Sequence, residues 1–336
     1  MSQISAKVIA HSKSSVTGKE MITFELEFPR PILAELNTHN ALSKNASSSR
    51  AIPVPTMLKQ VRENPAYLAR YGAANTGMQD KGAHTQEVQM PCSVHGDWYA
   101  TPKQAWFEAA NIAADLAERF HNAGYAKQVC NRLIEPFQMM KVVMTATELN
   151  NFKWLRRHDA ADPTIDSLCQ KVIVAHEASV PVVLQPGEWH VPYYNSGYWK
   201  PYITSEVEPY IEVDAFGHSL EHALVISASC CAQVSYRKLD DTLEKARGVV
   251  ARLNLQGEEP DQPVHASPLE HQGTPIASQG YVIQMIGSDY EVNYPGKPNT
   301  WEEGITHMDR DGTLCSGNLK GFIQHRQLVP NHVKKG

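Results

Sequence analysis

The sequence has no block of like charge, no C-x-x-C pair, no apolar run long enough to cross a bilayer, and no internal repeat or low-complexity tract. Each absence removes a class of protein. Without clustered basic residues, and with a formal charge of −5, the chain has no broad phosphate-backbone footprint, so no polymeric nucleic acid is expected as a partner. The scattered cysteines Cys92, Cys130, Cys169, Cys230, Cys231 and Cys315 read as reduced thiols rather than a disulfide framework. The stretch Met1 to Ala10 alternates apolar with polar residues and lacks the apolar region of a signal peptide. A cytoplasmic location with no membrane partner is therefore expected. What is present, 336 residues at 42% hydrophobic, suffices for a sizeable core in one large domain or two ordinary ones.

Period-two alternation marks two half-buried strands, one on Ile4, Ala6, Val8 and Ala10 and one on Ile22, Phe24, Leu26 and Phe28. After Pro29 the spacing of Ile32, Leu33 and Leu36 suits a short helix, and a polar cluster runs from Thr38 to Arg50. Residues 55–100 carry Pro, Gly and His without clear period and read as a loop-rich excursion. An apolar stripe from Trp106 to Phe120 predicts a helix over Lys103 to Asn122, stopped at Gly124. Further helices are expected at about 126–156, 163–178, 217–236 and 239–253. The aromatic, Pro-rich stretch 186–211 reads as a long surface loop or insertion, and the tail from about 275 as irregular.

The segment Thr38-His39-Asn40-Ala41-Leu42-Ser43-Lys44-Asn45-Ala46-Ser47-Ser48-Ser49-Arg50 packs hydroxyls, amides, a His and an Arg directly behind an apolar element. Short donors of this kind suit phosphate oxygens and the edge of a heteroaromatic ring, and an Arg fork binds phosphate bidentately. The same composition also makes a capped turn in which Ser and Asn serve only the backbone. On chemistry alone the two readings stand level.

The segment resembles the R-H-R-x-x-S-x-N-x-x-S-x-R signature of flavin-dependent thymidylate synthases: His39, Ser43, Asn45, Ser48 and Arg50 fall at its spacing. The family's flanking arginines are Thr38 and Asn40 here, and the Glu that commonly follows the Asn is Ala46. Downstream, the run from Gln128 to Pro136 around Arg132 and the run Asn151-Phe152-Lys153-Trp154-Leu155-Arg156 resemble two further family blocks, with a weaker likeness at Ala161 to Ile165. Two more come out of order. Ala232-Gln233-Val234-Ser235-Tyr236 resembles A-R-V-S-F, and His265-Ala266-Ser267-Pro268-Leu269-Glu270-His271 resembles H-x-T-P-F-E-H, a flavin-contacting turn. Both precede the signature in the family's usual order. The simplest account is a circular permutation, which is tolerated where chain ends lie close together on the surface.

The resemblance covers about half the chain. It implies an α+β fold with a mixed or antiparallel sheet packed by helices: a catalytic domain over 1–275, with loop-rich insertions at about 55–100 and 180–215, and an irregular extension over 276–336. It also implies a homotetramer with shared active sites, FAD as cofactor, NADPH and methylenetetrahydrofolate as co-substrates, and dUMP or a related pyrimidine nucleotide as substrate. By resemblance, Glu35, Ser48, Ser49, Arg50 and Arg132 would bind the substrate, and Arg156 would approach the base as the catalytic residue. His39, Asn45, Thr145, Thr147, Asn151 and Ser267 would line the flavin.

Alternatives on the same scaffold are another C5 modification such as hydroxymethylation, a cytosine nucleotide as substrate, or an inactive nucleotide-binding protein. His218-Ser219-Leu220-Glu221-His222 also fits the inverted zinc-peptidase motif H-x-x-E-H, although an amphipathic helix accounts for it and no resident metal is expected. Pro91-Cys92 offers a cysteine nucleophile with only His95 nearby in sequence. The run from Gly187 to Tyr193 reads as a packed loop or as a lid.

Overall fold

A computed structural model of the chain describes residues 3–77, 79–91, 98–203, 212–235, 239–277, 281–286, 289–295 and 301–334. Both expected strands form, as β1 (Ser5–Ser14) and β2 (Glu20–Pro29), and pair antiparallel. A strand that the sequence reading placed inside a helix, β6 (Met139–Ala146), lies antiparallel on β2, with β3 (Ser43–Ala46) beyond it. Parallel to β1 runs β7 (Val182–Leu184), so the sheet order is β3-β6-β2-β1-β7.

Strand periodicity sorts the two faces of this sheet. Ile22, Phe24, Leu26 and Phe28 of β2 join Met140, Val142 and Met144 of β6 in one core. Phe152 of α5 (Asn150–Arg156) and Ile165, Leu168 and Val172 of α6 (Pro163–Glu177) close it. The start of α6 follows from its sequence. Pro163 takes the first helical position and the Asp162 carboxylate accepts from the N–H groups of Thr164 and Ile165. The intervening residues Met21, Thr23 and Thr145 face a second layer. This is a sheet of order β18-β12-β8-β9, made of Phe322–Gln324, Gly273–Pro275, Trp189–His190 and Tyr198–Trp199. It is backed by α7 (Leu220–Ala232) and α8 (Leu243–Arg252). A third cluster joins α2 (Val54–Glu63), α3 (Pro102–Asn122) and α4 (Lys127–Leu133) through Val61, Ala110, Ala117 and Cys130.

Smaller elements complete the described residues. They are α1 (Leu33–Asn37), α9 (His325–Leu328), and the strand pairs β4–β5 (Val88–Met90 with Trp98–Ala100), β10–β11 (Tyr202–Ile203 with Glu212–Val213) and β13–β14 (Tyr281–Ile286 with Asp289–Pro295). A short ribbon is formed by β15 (His307–Met308), β16 (Leu314–Ser316) and β17 (Leu319–Lys320). Among the described residues, no helix is long and apolar enough to cross a membrane.

Four expectations change. Residues 55–100 hold a helix after all: Val54, Met57, Leu58 and Val61 repeat at helical spacing and are buried. The helix expected across 126–156 is split, because Pro136 interrupts it and the apolar run Met139–Ala146 is claimed by a sheet covered on both faces. The stretch 186–211 is no surface loop where it is described: Trp189 and Trp199 are buried, and Gly197 at φ +91° lies so close that a Cβ there would sit 2.7 Å from the Cβ of Ala10. The tail is not an irregular appendage. β18 pairs with β12 across the expected boundary at 275, and Phe322 packs with Met21 and Leu319. Phe322→Ala should destabilise the whole protein by about 3–5 kcal/mol in urea unfolding, against about ±0.5 kcal/mol for Phe216→Ala at an exposed position. Equal effects would place the tail outside the cooperative unit.

Candidate active site

The signature begins at the residue that caps the C-terminus of α1 and ends past β3, and its first half is organised by an arginine that arrives 117 residues later. Arg156, at the end of α5, donates from Nε to His39 Nε2 at 2.9 Å, and from Nη2 to the Glu35 carbonyl at 3.0 Å and Thr38 Oγ1 at 2.9 Å. Thr38 in turn donates to the Glu35 carbonyl at 2.7 Å. The Phe152 ring meets His39 edge-on, and Lys44 Nζ donates to the His39 carbonyl at 2.6 Å. Burial, then Arg156, then Lys44 pushes the imidazole down to about 4, so the ring is neutral near pH 7. Because the guanidinium is donor-only, Nε2 is the acceptor and the ring proton sits on Nδ1. Thr38 is thus one of three acceptors for Arg156, with His39 and the Glu35 carbonyl. A cation at position 38 would repel Arg156; the threonine hydroxyl accepts a hydrogen bond from it.

The second half of the signature meets the out-of-order blocks. Asn45 Nδ2 donates to the Cys231 carbonyl of α7 at 2.6 Å, and its Oδ1 accepts from Ser267 Oγ at 3.2 Å. Ser267 opens the short 3-10 turn Ser267–Glu270. Segments 186 and 222 residues apart in the chain therefore share one amide. Asn131 of α4 donates to the carbonyls of Ser49 and Ile52 at 2.8 and 2.9 Å, which holds the Ser48–Arg50 turn against the helix that carries Arg132. Arg50 and Arg132 are both exposed, Ser48 is half-buried with its Oγ accepting from the Arg50 N–H, and Ser49 is buried. Glu35 Oε2 is buried with no hydrogen-bond partner among the described residues.

Other expected contacts are occupied inside the protein. Thr145 is fully buried, its Oγ1 lying 2.7 Å from Thr23 Oγ1 and 2.8 Å from His271 Nδ1. Thr147 Oγ1 accepts from the Lys320 N–H at 2.9 Å, and Asn151 is exposed on the first turn of α5. The tail reaches the signature as well, since Asn318 Nδ2 donates to the Ala41 carbonyl at 3.2 Å and Ser43 Oγ at 2.9 Å. Sequence reading missed Lys44, Asn131 and Asn318. Lys44 and Asn131 stood beside matched residues, and Asn318, in the tail, carried no local signal.

The zinc-peptidase pattern does not assemble. Helix α7 begins at Leu220 with Ser219 as its cap, so His218 lies outside it and is not at helical spacing from His222. The two rings stack at 4.1 Å and 25°, which points their in-plane lone pairs past each other rather than at one ion. Cys92, His95 and Tyr236 lie outside the described residues. From Trp189 to Val191 the aromatic run is buried, as a packed segment rather than a lid.

The His39 environment is measurable. Its ring should titrate by NMR with a midpoint near 4, below its ordinary 6.5. Because the folded ring holds its proton less tightly than the unfolded one, stability is full above pH 6.5 and falls as pH drops towards about 4. Arg156→Gln should move the midpoint upward; a midpoint near 6.5 in the unaltered protein would contradict the geometry.

No protein-family model matches this sequence, and no curated protein does. Among solved structures, thymidylate synthase X (ThyX) from Helicobacter pylori with FAD and dUMP is similar at TM-score 0.31 and 14% identity, over 46% of this chain and 67% of that one. A UMP/dUMP methylase, PolB, from Streptomyces cacaoi bound with 5-Br dUMP is similar at TM-score 0.35 and 14% identity, over 53% of this chain and 94% of that one.

Proposed function

We propose that this chain is a flavin-dependent enzyme that methylates dUMP at C5, with methylenetetrahydrofolate as one-carbon donor and NADPH as reductant, on a circularly permuted thymidylate synthase scaffold. The observation that carries the reading is the Asn45 amide, which is bonded at once to α7 and to the Ser267 turn. With Asn131 bonded to the Ser49 carbonyl and Arg156 to His39, four matched blocks scattered in chain order adjoin the signature.

The residues present suit both ligands. Glu35 Oε2 is a buried acceptor without a donor, which a ligand N–H or O–H would satisfy. Arg50 and Arg132 are exposed cations, each the chain neighbour of one partner in the Asn131–Ser49 bond, and would bind the phosphate. Asn45 and Ser267 would present the flavin edge; Thr145, buried and engaged, is left out. Reduced flavin would supply the hydride, which removes the need for an enzymic thiolate. The described cysteines accord with this: all are free and buried, and burial pushes Cys169 up to about 11 and Cys230 up to about 12. Neutral His39 and the cationic Arg156 would polarise the base without exchanging protons near pH 7. A homotetramer belongs to the same proposal. Ile112 and Leu116, exposed one turn apart on α3, are apolar surface that such an assembly would bury.

A second reading, a different C5 modification or a cytosine base, draws on Thr38, which turns part of the Arg156 fork inward and so changes what the base would meet. Purified protein should bind FAD and absorb in the blue, and should convert dUMP to a product heavier by one CH2 when given methylenetetrahydrofolate and NADPH. Arg156→Ala should lower turnover by roughly 10²-fold or more with the fold kept. A colourless protein that takes up no added FAD would overturn the flavin reading; a different product mass would select the second one.

A further inference from the structure

On the other side of the molecule's main sheet pairing, three side chains from three elements converge. His11 projects from β1, Glu20 begins β2, and His176 lies in the last turn of α6. His11 Nε2 is 3.4 Å and His176 Nε2 is 3.6 Å from the same oxygen, Glu20 Oε2, and the three atoms all lie within 4.8 Å of one another. Bonds of about 2.0–2.1 Å at tetrahedral angles put neighbouring donor atoms about 3.3 Å apart. Two of the three edges are therefore already close to that length, and a modest turn of the His176 ring closes the third. The histidine side chains are 4% and 24% exposed and the carboxylate 37%, so the group is held by the fold yet reachable from solvent.

We propose that His11, Glu20 and His176 form a binding site for a zinc-class divalent cation, with a fourth position open to water. Two imidazoles and one carboxylate are a donor set that zinc takes in sites keeping an open position. The surroundings support it. Ser179 Oγ lies 3.0 Å from His11 Nδ1 and can accept its proton, which leaves Nε2 as the free donor atom.

Two lysines oppose the cation and define what it would change. Lys13 Nζ is 3.8 Å from Glu20 Oε1, the oxygen not shared by the histidines. Lys153 Nζ is 3.1 Å from His176 Nδ1. As a donor, that ammonium makes Nδ1 an acceptor and puts the ring proton on Nε2, facing Glu20: this is the metal-free arrangement. Cation binding requires the proton on Nδ1 instead, and so turns Lys153 away. Lys153 sits on α5, three residues before Arg156. Metal uptake is thereby coupled to the helix that carries the candidate catalytic arginine.

The test uses the full chain, stripped with a chelator and titrated with Co2+ by visible absorption and with Zn2+ by calorimetry. One equivalent should bind, with the visible cobalt bands of imidazole–carboxylate coordination. Glu20→Gln and His176→Gln, both at partly exposed positions, should fold and lose it. Ser179→Ala should weaken it about 10–100-fold. Lys153→Met should tighten it, an effect that a purely structural cluster would not produce. His222→Gln should leave it unchanged. Absence of stoichiometric binding, binding that survives Glu20→Gln and His176→Gln, or binding lost in His222→Gln would each overturn the assignment and leave a hydrogen-bonded ion-pair cluster only.

Discussion

A sheet covered on both faces must satisfy whatever polar groups its inner residues carry, and here that is done by one buried chain of side chains. Ser12 Oγ lies 2.8 Å from His190 Nδ1, His190 Nε2 lies 2.8 Å from Thr23 Oγ1, and Thr23 continues through Thr145 to His271 Nδ1. Both imidazoles are pushed down to about 3 by burial, so they enter the core uncharged, each able to donate through one nitrogen and accept through the other. Hydroxyls and neutral imidazoles follow one another from Ser12 to His271, and among the described residues the chain ends at His271 Nε2, which is buried without a partner. An apolar substitution at any one of them would strand a buried donor or acceptor at about 1–3 kcal/mol. Five segments are fixed together by this chain: β1, β2, β6, β8 and His271, which ends the Ser267–Glu270 turn.

Its consequence is the placement of the candidate site. With His271 anchored to β6 through Thr145, the preceding turn at Ser267 is brought to β3, where Asn45 receives it. The tail closes the same region by a separate route, through Asn318 to Ser43 and β18 to β12. The sheet's first face is ordinary hydrophobic packing; its second face joins segments that the chain order separates.

Much of this was legible in the residues. Alternation on β1 and β2 marked two strands and their buried faces, and the spacing of His39, Ser43, Asn45, Ser48 and Arg50 marked the segment to which α4, α5, α7 and the Ser267 turn are bonded. The run Met139–Ala146 was not legible as a strand, since a short apolar run has no period that separates a strand from a buried helix. What decided it was the tertiary fact that β2 and β3 flank it. Trp189 and Phe322 were misjudged for a related reason: aromatic and Gly-rich segments look like surface loops until a partner strand is known. Nothing local announced that Thr38 receives Arg156, or that His11, Glu20 and His176 meet. Thr38 and Arg156, like Glu20 and His176, are over 100 positions apart, and His11 meets Glu20 only through the pairing of β1 with β2, so the signal lies in the fold.

The central claim is that segments out of order in the chain make one ligand site. Hydrogen exchange, followed by mass spectrometry with and without FAD and dUMP, tests it directly. The account predicts that both ligands together slow exchange at once in residues 38–50, 127–132, 150–156 and 265–271. Protection confined to one of these segments, or found instead between α7 and α8 around Leu224 and Val250, would contradict it.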